Sequence, residues 1–357
     1  MVSKPTFKRP IILNALFLDK IGKQSGTYFM ATSIIRELLK INSNYMVLTT
    51  EEFDWASGRT IQSKPFPKKL RFLVESYYRN RFKKNTWLHF DYFLPVQFLN
   101  SKGSDAVVIH DLLPLDMINS VSKLKKIWFR VQIYRAVLKS DSVITISDFS
   151  KRRIEHHFSK ITSNINVIPN PIDLSRFNTK SLHESRNTEI KYFSTISAPW
   201  PHKNLDTLLS AFHEIWIETK IQLFVCGARE GRIEKQHYQN SESVKFLGFV
   251  PDSELARIIK HSEAFIAPSL YEGFGMTVYE ALALGKFVLA SDLDVYPQHP
   301  NLVRVGNPEN AESWSIEMRE FLTSQRSISQ FRLEGLHPST IAAKYDQLLR
   351  SLDAKNF

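Results

Sequence analysis

Apolar residues along the chain gather into short, β-branched-rich runs separated by longer stretches with helical spacing. In the first half the runs are Ile11–Phe17, Met46–Leu48, Ala106–Ile109 and Ser142–Ile146. In the second half they are Lys191–Ile196, Ile221–Cys226, Val244–Leu247, Ala264–Ala267 and Lys286–Ala290. Strands that alternate with helices in this way predict parallel sheets covered by helices on both faces. Helical spacing marks Tyr28–Leu39, Leu205–Phe212, Asp252–Ser262, Met276–Leu284 and Ser339–Leu352. The last of these carries Ile341, Ala342, Tyr345, Leu348 and Leu349 on one face. Two such series in tandem predict two doubly wound α/β domains. Between them, Pro169-Asn-Pro-Ile-Asp and the polar stretch Asn178–Glu189 read as a linker. The expected division is residues 1–170, a linker at 171–189, residues 190–336, and a terminal helix in 337–357.

Length agrees with that division, since 357 residues suit two domains of about 150 to 200 residues each. No apolar run approaches the roughly 18 to 20 residues of a membrane-spanning helix. The opening MVSKPTFKRP lacks the apolar stretch of a secretory signal, and Cys226 alone makes neither an intrachain disulfide nor a cysteine-based zinc cage. A cytoplasmic protein is expected. The net charge of +11 changes the picture once it is divided. Residues 1–170 carry 27 Lys+Arg against 13 Asp+Glu, and the remainder carries 20 against 23. The basicity belongs to the first half, which points to an anionic partner there, a membrane surface or a nucleic acid. Two stretches concentrate it. Lys68–Lys84 sets Lys68, Lys69, Arg71, Arg79, Arg81, Lys83 and Lys84 among Phe72, Tyr77, Tyr78 and Phe82. Lys123–Lys139 mixes Lys125, Lys126, Arg130 and Arg135 with Trp128, Phe129 and Tyr134. Basic residues interleaved with aromatics suit an anionic lipid surface, and the same composition can grip a nucleic-acid backbone.

Candidate chemistry concentrates at 264–290, where a buried strand leads through the loop Pro268–Gly275 into a helix and then to a further strand. Ligands of open α/β sheets bind at the carboxyl ends of strands, where helix N-termini converge. Glu272 lies in the loop beside Gly273 and Gly275, which let a ligand approach the backbone closely. Glu280 is expected near the first turn of the helix. The amides of Phe274, Gly275, Met276 and Thr277 are expected to face phosphate oxygens. A carboxylate beside a phosphate site is suited to accepting hydrogen bonds from sugar hydroxyls. Taken singly, either glutamate is as well explained as a helix-dipole partner or a solvated loop residue.

The run Ser269-Leu-Tyr-Glu-Gly-Phe-Gly-Met-Thr-Val-Tyr-Glu-Ala-Leu-Ala-Leu-Gly resembles the donor-site motif of family 4 of the retaining glycosyltransferases. The resemblance implies the GT-B fold, two Rossmann-like domains facing a central cleft, with an acceptor domain first and a nucleotide-sugar domain second. It implies that Glu272 lies against the donor sugar and that Glu280 binds the ribose. His202-Lys203-Asn204 resembles the family's cationic clamp, with Lys203 neutralising the departing diphosphate and His202 standing where Arg is usual. Phe246-Leu-Gly-Phe-Val-Pro251 resembles the segment bordering the nucleobase, with Gly248 and Phe249 beside the base. His110, in Val107-Val-Ile-His-Asp-Leu-Leu-Pro, is similar to the histidine that contacts the transferred sugar, with Asp111 a weaker candidate. Thr145-Ile-Ser-Asp-Phe-Ser-Lys resembles a serine-bearing strand end and is read as architectural. Gly26, in Gln24-Ser-Gly-Thr, partly matches a Gly-Gly loop near the donor phosphate. Pro171 stands at the hinge where Gly is common, and Gln298 ends a segment that normally closes with Glu. The terminal helix is expected to cross back onto the first domain.

What the resemblance implies is retaining transfer of a hexose, mannose or rhamnose type first, from a nucleoside-diphosphate sugar. GDP-mannose is the first choice of donor, and the acceptor is a hydroxyl of a glycan or lipid-linked glycan in cell-surface polysaccharide synthesis. His110, Lys203 and Glu272 carry the chemistry. An anionic membrane surface is the expected partner of the basic half, placing the protein at the inner face of the membrane, and nucleic acid is not expected. Neither a cofactor nor an essential metal is expected, on the reading that the chain lacks the Asp-x-Asp motif that marks the metal-bridged diphosphate of the other large glycosyltransferase fold. The alternatives are a sugar-nucleotide epimerase or sugar phosphorylase of the same architecture, a basic nucleic-acid-binding protein, and a degenerate transferase kept as an interaction partner.

Overall fold

A computed structural model describes residues 9–18, 21, 25–96, 103–117, 122–159, 164–177, 190–198, 200–227 and 242–356. Gln24 and the linker stretch Asn178–Glu189 lie outside the described residues. The chain divides into two compact units, Met1–Pro171 with Gly335–Phe357, and Ile172–Glu334.

In the first unit the strands are β1 (Ile11–Asn14), β2 (Tyr45–Thr49), β3 (Thr60–Gln62), β4 (Trp87–His89), β5 (Asp105–Ile109), β6 (Ser142–Thr145) and β7 (Ile165–Val167). They form one sheet in the order β3-β2-β1-β4-β5-β6-β7, with every pairing parallel. The helices are α1 (Gly26–Ile41), α2 (Arg71–Arg81), α3 (Leu113–Asp116), α4 (Lys123–Lys139) and α5 (Asp148–His157), with a terminal helix described below. In the second unit β8 (Tyr192–Ile196), β9 (Gln222–Cys226), β10 (Val244–Gly248), β11 (Phe265–Ala267), β12 (Val288–Ser291) and β13 (Leu302–Val305) pair in parallel, in the order β10-β9-β8-β11-β12-β13. Its helices are α6 (Leu205–Thr219), α7 (Asp252–His261), α8 (Met276–Ala283) and α9 (Ala311–Thr323). The strand order reverses once in each sheet, beside β1 and β4 in the first and beside β8 and β11 in the second. Such a reversal opens a crevice at the carboxyl edge of the sheet.

Burial explains the apolar runs. Ile11, Ile12 and Leu13 on β1, and Val107, Val108 and Ile109 on β5, are all buried, as expected of strands covered on both faces. On the second unit Phe193, Leu208, Phe212, Leu289, Trp314 and Met318 form the main core cluster between sheet, α6 and α9. Right-handed crossovers place α2 and α4 on one face of the first sheet, because β3→β4 and β5→β6 advance in the same direction. The terminal helix α10 (Pro338–Ala354) packs on α1 through a buried face that includes Ile341, Ala342, Tyr345 and Leu349. Four side-chain hydrogen bonds fasten this segment: Tyr45 Oη to Asp346 Oδ1 (2.6 Å), Thr86 Oγ1 to Asp353 Oδ1 (2.8 Å), Ser104 Oγ to Asn356 Oδ1 (3.1 Å) and Asn356 Nδ2 to Thr86 Oγ1 (3.2 Å).

Several expectations are corrected. Four strands, β3, β4, β7 and β13, escape the apolar-run pattern because each is three or four residues long and carries polar neighbours. Ile172–Phe177 is not linker. It belongs to the second unit, where Phe177 is buried against Ala256 with Leu174 and Leu284 packed around them. Glu280 is the fifth residue of α8 and so lies in its second turn rather than its first. Arg71 and Arg79, counted above with the basic surface, are turned inward. Arg79 is fully buried in a two-pronged pair with Asp105 (2.7 and 2.8 Å), and Arg71 bridges Glu75 and Asp91 (2.8 and 2.7 Å).

Candidate active site

The second unit brings two loops together where β8 and β11 part. After β8 the chain makes a short turn, Pro201–Lys203, and Asn204 takes the left-handed conformation (φ 52°) that Asn tolerates better than most residues. Asn204 is tied down from both sides. Its Nδ2 donates to the Pro308 carbonyl at 2.6 Å, and Thr207 Oγ1 donates to its Oδ1 at 2.7 Å. The neighbouring backbones join directly, since the Leu270 amide donates to the His202 carbonyl at 2.7 Å. With both loops fixed, Lys203 Nζ donates to Glu272 Oε1 at 2.6 Å. The pair is part-buried, with side-chain exposures of 26% and 18%, so it keeps a face open to a ligand.

His202 does not supply a second cation. Burial, and then the adjacent Lys203 charge, hold its imidazole down to about 4, so it is neutral at physiological pH. It can offer one N–H and one lone pair, and Lys203 is the cation of this turn.

Helix α8 begins after Gly275, which adopts φ 80° and supplies no side-chain cap. The Val278 amide returns to the Gly275 carbonyl at 3.0 Å, while Met276 and Thr277 head the helix with no side-chain cap over them. Gly275 is required twice over. Its φ is strained for any other residue, and a Cβ there would come within 2.4 Å of the Tyr296 ring. Tyr296, from the loop after β12, is almost fully buried, and burial together with the nearby Glu272 charge drives its phenol well above the usual range. Arg304 holds this loop by donating to Asp292 Oδ1 at 2.7 Å and to the Tyr296 carbonyl at 3.0 Å. Phe274 is buried and stacks on Tyr279, with ring centroids 4.7 Å apart, while Gly273 completes the turn between Glu272 and that stack. An Asp-x-Asp triplet is present after all, Asp292-Leu293-Asp294, so the expectation of a metal-free reaction cannot rest on its absence. Asp292 is engaged by Arg304, and no group of three His, Cys, Asp or Glu among the described residues is arranged to hold a metal ion.

Glu280 is 2% exposed, and burial raises its carboxyl above the ordinary value. Its Oε1 accepts from Arg176 Nη2 at 2.8 Å, and Arg176 Nη1 donates to Asp252 Oδ1 at 2.7 Å. Asp252 starts α7, which follows the Gly248–Pro251 turn at the end of β10. Gly248 has φ 63°, accepts from the Gly227 amide at 2.6 Å, and leads into the half-exposed Phe249. A chain of contacts thus links Glu280, through Arg176, to the segment expected beside the base. Sequence reasoning missed Arg176, Tyr296 and Arg304, and gave Asn204 no role of its own. Arg176 lies in the turn Leu174–Phe177, inside the stretch assigned to linker, and no sequence signal marks it.

In the first unit His110 lies at the carboxyl end of β5. Its Nε2 donates to the Phe90 carbonyl at 2.8 Å, and burial lowers its pKa, so the neutral ring keeps Nδ1 as an acceptor. Asp111 accepts from the Leu113 amide at 3.0 Å and shapes the turn. The Thr145–Lys151 segment is a scaffold for this loop. Thr145 Oγ1 donates to the Ile109 carbonyl (3.0 Å), Ser147 caps α5, and Ser150 Oγ donates to the His110 carbonyl (3.0 Å). Gly26 is the exposed first residue of α1 rather than part of a loop, and Ser25 caps that helix by accepting from the Tyr28 amide at 3.2 Å.

Two doubly wound units, one with a lysine–glutamate pair and an uncapped helix start at its switch point, define a glycosyltransferase of the GT-B class. Residues 180–332 match the family described as Glycosyl transferases group 1, and residues 63–176 match Glycosyltransferase Family 4. The chain belongs to these family 4 glycosyltransferases. It is 25% identical over 288 residues to the O-antigen chain mannosyltransferase RfbU of Salmonella typhimurium, spanning 75% of this chain and 77% of that one. It is 27% identical over 175 residues to O-antigen chain mannosyltransferase B of Escherichia coli, spanning 44% of each. Among solved structures, sucrose-phosphate synthase from Thermosynechococcus elongatus superimposes with TM-score 0.73 at 17% identity, covering 98% of this chain and 100% of that one. Anabaena Alr3699/HepE in complex with UDP and glucose gives TM-score 0.67 at 14% identity, covering 96% and 100%. These likenesses establish the fold.

Proposed function

We propose that the protein is a retaining mannosyltransferase that moves mannose from GDP-mannose to a hydroxyl of a glycan or lipid-linked glycan in polysaccharide synthesis. The observation that carries this reading is the Lys203–Glu272 pair, 2.6 Å apart where β8 and β11 separate. On donor binding the ammonium group turns from Glu272 to the diphosphate, and Glu272 accepts hydrogen bonds from the sugar hydroxyls. The bond from the anomeric carbon to the β-phosphate oxygen breaks, with the electron pair leaving on phosphate. The acceptor oxygen bonds the anomeric carbon from the same face, and its proton passes to the departing phosphate oxygen. Lys203 and the uncapped start of α8 stabilise the growing negative charge. Glu280 binds the ribose diol, Gly248 and Phe249 border the base, and His110 offers its Nδ1 lone pair to a sugar hydroxyl.

The mannosyl preference draws on the names of the O-antigen relatives. A thermal-shift panel of GDP-, UDP-, dTDP- and ADP-sugars tests the donor, and NMR of the anomeric proton in the product tests retention. Stabilisation by none of the four would overturn the reading. Release of sugar phosphate or an epimerised nucleotide without acceptor would favour the phosphorylase or epimerase. The ammonium group of Lys203 performs the charge neutralisation a divalent cation provides elsewhere, so turnover is expected to survive EDTA.

The first unit is proposed to dock on an anionic membrane surface. Helix α4 is apolar on two opposite sides. Ile133, Ala136 and Val137 face the core, while Leu124 (82% exposed), Ile127 (61%), Trp128, Val131, Tyr134 and Leu138 form an outward stripe at helical spacing. Lys123 and Arg130 flank the stripe on one side, with Lys125 and Lys139 on the other, the arrangement of a helix lying in a lipid headgroup layer. Helix α2, on the same sheet face, adds exposed Leu73 and Tyr77 with Arg81, and Lys68 and Lys69 precede it. No helix among the described residues is long and apolar enough to cross a membrane. Flotation with phosphatidylcholine vesicles, with and without phosphatidylglycerol, tests the surface. Binding that needs the anionic lipid and is lost in Ile127→Ser/Trp128→Ser supports it. Equal flotation with neutral vesicles, or preference for duplex nucleic acid, overturns it.

A further inference from the structure

We infer that Arg176 is a positioning residue of the nucleotide site, presenting Glu280 to the ribose diol with one carboxylate oxygen left open. The inference deepens the proposed function and rests on the assignment of Glu280 to the ribose.

Arg176 belongs to the turn Leu174–Phe177, outside the glycine loop and the two-glutamate motif. It is fixed from three directions. Phe177 next to it is fully buried against Ala256, the guanidinium carbon lies 4.3 Å from the Phe177 ring centroid, and its two terminal nitrogens reach different carboxylates. Nη1 goes to Asp252 at the start of α7, and Nη2 goes to Glu280 Oε1 in α8. Oε2 of Glu280 accepts no hydrogen bond among the described residues. A carboxylate bound at one oxygen keeps the lone pairs of the other for a vicinal diol, which donates two hydroxyl protons.

The electrostatics need this partner. Glu280 is buried, Asp252 and Asp173 also face it, and burial and both acidic neighbours favour its protonated form. Arg176 is the cation opposing them. Without it the carboxyl titrates at higher pH. A neutral carboxyl spends one oxygen as a donor, and its hydrogen bonds to hydroxyls lose their charge assistance.

The experiment measures the binding of GDP and of 2′,3′-dideoxy-GDP by calorimetry at pH 8 and pH 6, with the UDP pair in parallel. The full chain is used as wild type, Arg176→Met, Arg176→Lys and Glu280→Gln. Wild type is expected to prefer the ribonucleotide by at least about tenfold, the usual size of a hydrogen bond to a charged group. Arg176→Met is expected to lose most of that preference and to lose further ribonucleotide affinity between pH 8 and pH 6. Arg176→Lys, which keeps the charge, is expected to recover part of the preference and to lessen the loss between pH 8 and pH 6. A role confined to anchoring the turn would weaken both nucleotides equally and leave the ratio unchanged, which would overturn the inference. If Arg176→Met fails to fold, Arg176→Lys and Asp252→Asn, which loosens the other prong, carry the same ratio test. An unchanged ratio in Glu280→Gln would instead sink the ribose assignment itself. A Glu280→Gln loss with an unaltered Arg176→Met ratio overturns the positioning role alone. Failure of wild type to bind any of the four nucleotides overturns both.

Discussion

The two units share a topology and part company at the same place in it. In the second, the crevice beside β8 and β11 ends in Lys203, Glu272 and the uncapped start of α8, charges and dipoles held open by Asn204, Tyr296 and Arg304. In the first, the crevice beside β1 and β4 ends in Asn14 and His89, which bond to each other at 3.1 Å, and His89 continues to Asp105 at 3.1 Å. Asp105 is then closed off by Arg79, and all four side chains are buried. The charged pair of the second crevice stays partly exposed, whereas the polar side chains of the first are buried and paired within the unit. The fold dictates where a site can lie; the pairing of its charges decides whether it is one.

The comparison is most severely tested where charge is buried. Arg79→Met leaves Asp105 without its guanidinium, and a loss of about 3–5 kcal/mol from the first unit is expected. Urea unfolding should show one transition moved while the transition stabilised by GDP stays in place. The same network carries a pH signature. The His89 and Arg79 hydrogen bonds hold the Asp105 carboxyl low against the opposing effect of burial. Its contribution is therefore complete above the ordinary carboxylate value near 4 and fades as pH falls through the lowered one. Glu75, raised by burial, works in the opposite direction, so Asp105→Asn is the variant that should flatten the acid limb.

In the open crevice the effects should fall on rate. Lys203→Ala is expected to lower kcat by about 10²–10³ with little change in unfolding temperature, measured by steady-state turnover and calorimetry. Glu272→Ala should resemble it, whereas Glu280→Ala should act mainly on donor KM. Loss of folding instead of rate in Lys203→Ala would erase the distinction drawn between the crevices. Gly275→Ala combines both kinds of damage. Strain at positive φ and overlap with Tyr296 are expected to cost about 1–3 kcal/mol, visible in the thermal transition of the second unit. The smallest effect is expected at His202. With its pKa near 4 it is neutral across the working range, so His202→Gln should change kcat/KM by less than about twofold and remove no step near pH 6.5.

The sequence was most legible where one principle acted alone. Continuous apolar runs marked the central strands, and a glutamate-bearing loop after such a strand marked the place where β8 and β11 part. The short strands β4 and β13 were hidden because their partners on either side, rather than their own composition, make them strands. Arg176 was hidden for a related reason. It lies 104 positions from Glu280, and nothing in a polar, proline-marked stretch announces that one of its turns is packed against α7 and α8. Likewise the inward-facing Arg71 and Arg79 are indistinguishable by spacing from the outward-facing lysines around them. Composition reported a basic surface, but only the sheet could say which cations remained outside it.

The fastening of α10 to α1 has a consequence for biogenesis. The first unit is assembled from two separate stretches, because Asp346, Asp353 and Asn356 bond to groups at the starts of β2, β4 and β5. The second unit, Ile172–Glu334, is continuous and has its whole sequence available before the ribosome has finished. Of the two units, the one whose sequence starts first is therefore completed second, and a chain interrupted before α10 would carry a finished second unit beside an unsealed first one.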